Sequence, residues 1–299
     1  MDDSRTDLLA SSATFSCSSA ATTDGGPPGF PHGGDEGGER APCAPPPRPA
    51  YAHPVLRIID ARTQKPTSAA PARRAPTRVV AHAPGRDTTG LRVLLVADLL
   101  VRALELDGTP AWALLTGAED GTRLRADAAA LGVRPFEDGG AAGSVPGTGQ
   151  AVYVVRQGGA APDGATVAVA PVDAAGQDIE GFDDDPAAPD AVRLALLERH
   201  HHARVELDAS ALGDARDTLT RWRRAVAAWA RQPSRPVPGE VRDQLRAAWE
   251  DDLDAPGVLS VLRRVETDPD LPDGARFEIY AYADRFLGLH LARDIGAPA

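Results

Sequence analysis

The sequence predicts an α/β unit on a parallel sheet, followed by a helical bundle and preceded by a disordered tail. Three observations carry this. Residues 1–54 are dominated by Ser, Thr, Gly and Pro, as in GGPPGFPHGGDEGGERAPCAPPPRPA, and bury too little apolar surface to offset their ordering entropy. Residues 55–189 alternate short apolar strands with helical stretches, the order expected of parallel strand–helix–strand units. Residues 190–299 carry apolar residues at helical spacing almost throughout.

Taken in order, VLRIID (55–60) reads as a strand and TRVVAHA (77–83) as a second. PGRDTTG (84–90) is turn-rich and leads into VLLVADLLVRALELDG (93–108). There Leu95, Leu99, Leu100, Leu104 and Leu106 favour one side of a helix, with Gly108 as its stop. TPAWALLTG (109–117) is a third strand, 119–131 a short helix, and AVYVVR (151–156) and ATVAVAPV (165–172) two more strands. In the second half, AVRLALLERHHHA (191–203) reads as one helix. A long helix over 210–231 carries Leu212, Leu219, Trp222, Val226 and Trp229 on one side. Helices over 241–253, 256–266 and 275–292 complete the bundle.

The chain has 299 residues and a formal charge of −11, which excludes a generally polycationic nucleic-acid binder. No run of 18 apolar residues exists to span a membrane. The most apolar stretch, Val93–Leu106, is broken by Asp98 and Arg102. Asp2 and Asp3 stand where a secretory signal would be basic. Cys17 and Cys43 both lie in the tail, so no disulfide framework is expected, and a reducing, cytoplasmic setting is. Lys65 is the sole lysine; arginine supplies the other basic side chains.

Four constellations merit weighing. His200, His201 and His202 are consecutive; on a helix they would point in three directions, so no metal site is expected. Asp183–Asp185 and Glu250–Asp252 are acidic runs, the first read as solvated linker and the second as a helix end, with Asp254 capping the next helix ahead of Pro256. PGRDTTG sits where an anion would meet a helix N-terminus, but it fits no phosphate-binding pattern and holds no lysine. Between Arg216 and Arg246 stand eight arginines against three acids. Arg216, Arg221, Arg223, Arg224 and Arg231 form the candidate RNA or partner face, set against the plainer reading of a solvated helix surface. No nucleophile–base arrangement is apparent.

In sequence order these segments resemble the class I cysteine ligases: the cysteinyl-tRNA synthetases and, more closely, the actinobacterial mycothiol-pathway ligase that joins cysteine to glucosaminyl-inositol. AVRLALLERHHHARVELDASALGDARDTLTRWRRAV is similar to their helical segments after the signature loop, of the type RLALLxxHYR followed by RLxxWRxAV. WEDDLDAPGVLSVL (249–262) resembles their DDLDAP helix start, and LRIIDARTQKP (56–66) their opening strand and turn. RVVAHAPGRDTTGLRVLLVADLLVRALELDG (78–108) lies where the first Rossmann strand, the HIGH motif and its helix belong, and TRLRADAAALGVRP (122–135) has a counterpart of similar wording. The resemblance covers about residues 55–295 and implies a reduced Rossmann-like domain (55–189) joined to a helical bundle domain (190–299).

The resemblance fails in the catalytic motifs. The family uses ATP and zinc, with histidines and lysines stabilising the transferring phosphates. After Asp87 this chain reads TTGLRVLLVAD, without the histidine pair. If VDAAGQDIEGFDDD replaces the signature loop, Asp178 and Gly181 stand where lysines would. At an effective dielectric of about 20, a carboxylate about 4 Å from a phosphate charge is repelled by about 4 kcal/mol before screening. His82 falls near the family's first zinc-binding cysteine, without the remaining ligands. The expectation is therefore a shortened pseudoenzyme with no catalytic residues, no cofactor and no metal, acting by binding tRNA or a cytoplasmic protein. The alternative is an active ATP-dependent ligase with a site rebuilt around Arg86, Asp87 and Arg92.

Overall fold

Five parallel strands form the centre of the structure, a computed structural model that describes residues 56–71, 76–139, 150–160, 163–174 and 188–296. Strand β1 (Arg57–Asp60) pairs antiparallel with β2 (Lys65–Ser68) in a hairpin beside the sheet. The sheet itself contains β3 (Thr77–His82), β4 (Ala111–Thr116), β5 (Glu137–Asp138), β6 (Ala151–Arg156) and β7 (Ala165–Val169) in the order β5-β4-β3-β6-β7. The chain runs outward from β3 to β5, returns beside β3 as β6, and runs outward again to β7. The point of reversal, between β3 and β6, is where α/β sheets of this kind open a crevice at the carboxyl ends of their strands.

Helix α1 (Thr88–Leu106) connects β3 to β4. It starts five residues earlier than its leucine spacing suggests, because Asp87 caps it by accepting from Gly90 N at 2.7 Å. Helix α2 (Gly121–Ala130) follows, capped by Asp120. The second half holds α3 (Ala188–Leu197), α4 (Ala209–Trp229), α5 (Gly239–Glu250), α6 (Ala255–Thr267) and α7 (Asp273–Leu287). A two-residue pair, β8 (Val172–Asp173) with β9 (Val205–Glu206), links the end of the sheet region to the bundle. Asp254 caps α6 through Gly257 N at 2.9 Å, as its position ahead of Pro256 suggests.

One hydrophobic core runs from β3, β6 and α1 into α3, α4, α6 and α7. Trp222, Trp249, Tyr280 and Phe286 are fully buried in its helical part. The apolar stretch of α1 is not weakened by its two charges, because Asp98 is the hub of an ion cluster. Its carboxylate accepts from Arg102 (2.8 Å), Arg134 (2.9 Å) and Arg193 (3.1 Å). Arg193, itself fully buried on α3, also donates to Leu131 O and Leu287 O. This cluster binds α1, α3, α7 and the end of α2 together.

Two expected helices end early. The one read over 275–292 stops at Leu287, where Gly288 turns left-handed at φ 63°. The helix read over 191–203 ends at Leu197, and His200–His202 lie in the turn that follows. The cause is Arg92, buried on α1, which donates to the carbonyls of Ala170, Arg199, His200 and Ala203. Those bonds pull the chain out of helical geometry. The tail over 1–54, the acidic run Asp183–Asp185 and the expected signature-loop residues Asp178 and Gly181 lie outside the described residues. No described helix is long and apolar enough to cross a membrane.

Candidate functional site

The reversal point, where a sheet of this kind places its crevice, is bordered by the end of β3, the loop 83–87, the start of α1 and the end of β6. His82 is the last residue of β3, and its Nδ1 lies 3.3 Å from Thr116 Oγ1. Gly117, at φ +74°, leaves room for the imidazole: a Cβ there would approach the His82 ring to 2.3 Å. Gly90 is needed for the same kind of reason, since a Cβ would come within 2.6 Å of Gly85 O. The loop is thus folded tightly onto the first turn of α1.

A helix N-terminus and a nearby arginine normally recognise an anion such as phosphate. Here both are engaged by a carboxylate of the chain itself. Asp87 Oδ1 accepts from Gly90 N and also from Arg156, the last residue of β6. Arg86 is held in a two-pronged pair by Asp127 of α2, Nε to Oδ2 at 2.7 Å and Nη2 to Oδ1 at 3.2 Å. Arg156 escaped sequence reasoning, although its place at the end of the strand next to β3 was a usable signal. Arg92 does not belong to the crevice. It is buried against four carbonyls, and that burial lowers its pKa to about 10.

The crevice does not fit the zinc that the family resemblance implies. Among the described residues, the only group of three close His, Cys, Asp or Glu ligands is His200, His201 and Asp252, and His82 is not in it.

The arginines of α4 are brought onto one helix but not onto one surface. Arg223 is a correction to the expected face: it is buried and donates to Asp190 at 2.8 Å and to Leu289 O at 2.6 Å. Arg221 reaches the surface but forms a two-pronged pair with Glu266, whose Oε2 also accepts from Trp222 Nε1 at 2.9 Å. Burial pushes the Glu266 carboxyl up, and the bonds from Arg221 and Trp222 outweigh it, holding the group below its ordinary value. Arg216, Arg224 and Arg231 are exposed.

The three histidines are also rearranged relative to expectation. Off the helix, His200 and His201 turn toward Asp252 in the α5–α6 turn, with His201 Nε2 3.3 Å and His200 Nε2 3.9 Å from Asp252 Oδ2. Asp252 and the following Leu253 both adopt left-handed backbone, φ 55° and 58°. Such geometry in a bulky residue is strained unless the surroundings hold it; Asp252 N donates to Arg57 O, and Asp252 Oδ1 accepts from Ile59 N at 2.7 Å.

An α/β unit with a reversal-point crevice, fused to a helical bundle, defines the class of protein. Comparison with known proteins narrows it. No protein-family profile matches the chain. It is 49% identical over 76 residues to the L-cysteine:1D-myo-inositol 2-amino-2-deoxy-alpha-D-glucopyranoside ligase of Parafrankia sp. (strain EAN1pec), covering 25% of this chain and 16% of that ligase. With the ligase of the same name from Acidothermus cellulolyticus it is 41% identical over 106 residues, 35% of this chain and 25% of that protein. The Streptosporangium roseum ligase shares 45% over 76 residues, 25% of this chain and 18% of its own length. The chain is thus similar to these cysteine ligases over part of its length, and the similarity spans a quarter or less of theirs.

Proposed function

We propose that this chain is a cysteine-ligase-like protein that has given up ATP-dependent chemistry and acts by binding a macromolecular partner. The observation that carries the reading is the engagement of Asp87. Its carboxylate caps α1 and neutralises Arg156, so the two groups best suited to a phosphate meet an internal anion instead. An incoming polyphosphate would have to displace that carboxylate and then sit beside its negative charge. No cysteine-selecting metal set accompanies His82 among the described residues. Losing even one preorganised donor costs on the order of 10²–10³ in rate.

Of the two partner classes, a protein fits better than tRNA. Arg221 and Arg223 are balanced by Glu266 and Asp190, which interrupts the cationic stripe an RNA backbone would follow. Binding to tRNA, if it occurs, depends on Arg216, Arg224 and Arg231. The second reading, an active ligase, has one observation in its favour: Arg156 Nε is buried without a hydrogen-bond partner. That arginine would be the group to reorient onto a phosphate.

Cysteine-dependent ATP–pyrophosphate exchange separates the readings. The binding account expects no exchange above background; turnover that Arg156→Gln abolishes establishes the ligase. Filter binding of tRNA across a salt series tests the partner. A slope that Arg224→Gln and Arg231→Gln together leave unchanged removes the RNA face.

A further inference from the structure

We propose that His200, His201 and Asp252 form a divalent transition-metal site, of the zinc type, whose open coordination position faces the cleft between the β1–β2 hairpin and the histidine turn. The three residues come from two segments far apart in sequence, and each is presented by a specific backbone constraint. Arg92 holds the histidine turn by its carbonyls at 199, 200 and 203. Ala170 N donates to His201 O at 2.8 Å, fixing the turn against the end of β7. The left-handed pair Asp252–Leu253 aims the Asp252 carboxylate back at both imidazoles.

The spacing fits a metal. Nitrogen and oxygen ligands at about 2.0–2.2 Å in tetrahedral geometry lie about 3.3–3.5 Å from one another. His201 Nε2 and Asp252 Oδ2 are 3.3 Å apart already, and His200 Nε2 at 3.9 Å needs to close by about half an ångström. All three ligand atoms lie within 4.8 Å of one another.

The hydrogen bonding points the same way. His201 Nδ1 lies 3.3 Å from Ala168 O and Nε2 3.1 Å from Asp252 O, both of which only accept; with the proton on Nδ1, Ala168 O accepts it and Nε2 is free to ligate. A backbone carbonyl on the far nitrogen is the usual way a ligating histidine is oriented. In that tautomer Nε2 faces Asp252 O at 3.1 Å and Asp252 Oδ2 at 3.3 Å, two acceptors between which a cation can sit. A second proton on His201 is the competing source of positive charge at this point. Asp252 Oδ2, on a residue only 6% exposed, and His200 Nδ1 are both buried without a hydrogen-bond partner. One cation bound by both Nε2 atoms and by Oδ2 answers the buried carboxylate oxygen and does not involve His200 Nδ1. Two imidazoles with one carboxylate suit zinc among the common divalent ions.

Three protein ligands leave a fourth position. His201 and Asp252 line a cleft of ≈ 390 Å³ whose other walls include Gln64, Gln157 and His202. A water, or a small ligand with an anionic oxygen or sulfur, completes the coordination there, with the two glutamine amides within the same cleft. The site is separate from the reversal-point crevice and does not depend on how that crevice is used.

The test uses the full-length chain carrying Cys17→Ser and Cys43→Ser, so that tail thiols cannot supply ligands. Metal-depleted protein is titrated with Zn²⁺ against a chromophoric chelator, and zinc content is measured after dialysis. The site predicts one zinc per chain, a zinc-dependent rise in thermal midpoint, and a visible Co²⁺ spectrum of a tetrahedral nitrogen–oxygen site. Asp252→Asn and His200→Gln should each weaken zinc at least tenfold. Asparagine tolerates the left-handed backbone at 252 and keeps an acceptor for Ile59 N; His200→Gln covers the case in which Asp252→Asn folds poorly. Absence of stoichiometric zinc, or zinc that both variants hold as tightly as the parent, overturns the proposal.

Discussion

The N-terminus and the middle of α1 use charge in opposite ways. At its N-terminus, Asp87 and Arg156 meet at the surface, with side chains 50% and 29% exposed. Midway along, Asp98 is 1% exposed and bonded by three arginines, one of them fully buried. The first arrangement is a local neutralisation in a place suited to ligands; solvent screening keeps its stabilising value small. The second is a seam between sheet and bundle, where removing one member leaves charges stranded in a low-dielectric interior. The scaffold's charges are invested in cohesion, and those at the crevice cancel one another.

The largest expected effect is at the seam. Asp98→Ala strands Arg193 and should cost about 3–5 kcal/mol of unfolding free energy, read as a shift of the urea midpoint. Burial pushes the Asp98 carboxyl up, but Arg193, Arg102 and Arg134 outweigh it and hold its pKa below the ordinary 3.8. Its folded pKa is therefore the lower one, so its contribution is fully present above pH 3.8 and is lost as pH falls through the folded value. Urea melts between pH 7 and pH 2.5 should show this loss, and Asp98→Asn should flatten it.

A smaller effect is expected at Arg223, because Asp190 keeps Arg293 and has His290 at 3.6 Å when one partner is removed. Arg223→Met should cost about 2 kcal/mol, whereas Arg224→Ala one residue away should stay within about 0.5 kcal/mol. Equal effects would mean that the buried and exposed arginines of α4 do not differ as described. Smaller still, Asp87→Ala should cost about 1 kcal/mol through loss of the α1 cap, and Asp87→Asn should recover most of it. Arg156→Gln should cost no more than about 1 kcal/mol in the same melts.

The seam and the crevice were not equally legible. The leucine spacing of α1, the strand runs at 77–83, 109–117 and 151–156, and the Asp254 cap are local patterns, and each appears in the structure close to where it was expected. Asp98 and Arg102 read as flaws in an apolar helix because their partners are remote: Arg193 lies 95 residues from Asp98. The histidines read as helical because AVRLALLER keeps helical period up to them; only Arg92, 107 and 108 residues from the carbonyls at 199 and 200, explains why the helix stops. The approach of His200 and His201 to Asp252 was not legible for the same reason. PGRDTTG was recognisable as an anion-type position, but that Asp87 answers the helix N-terminus itself required the folded loop. Arg221 and Arg223 looked alike in sequence and differ because α6 supplies Glu266 and α3 supplies Asp190.

The carboxylate of Asp87 takes up the helix N-terminus and the arginine that a phosphate would otherwise use. Direct titration of the full-length protein with ATP and Mg²⁺, followed by calorimetry, tests it most simply. The prediction is no saturable heat with ATP up to about 1 mM, a ceiling corresponding to about −4 kcal/mol of binding. Saturable one-to-one binding with a micromolar Kd, weakened by Arg156→Gln, would contradict it.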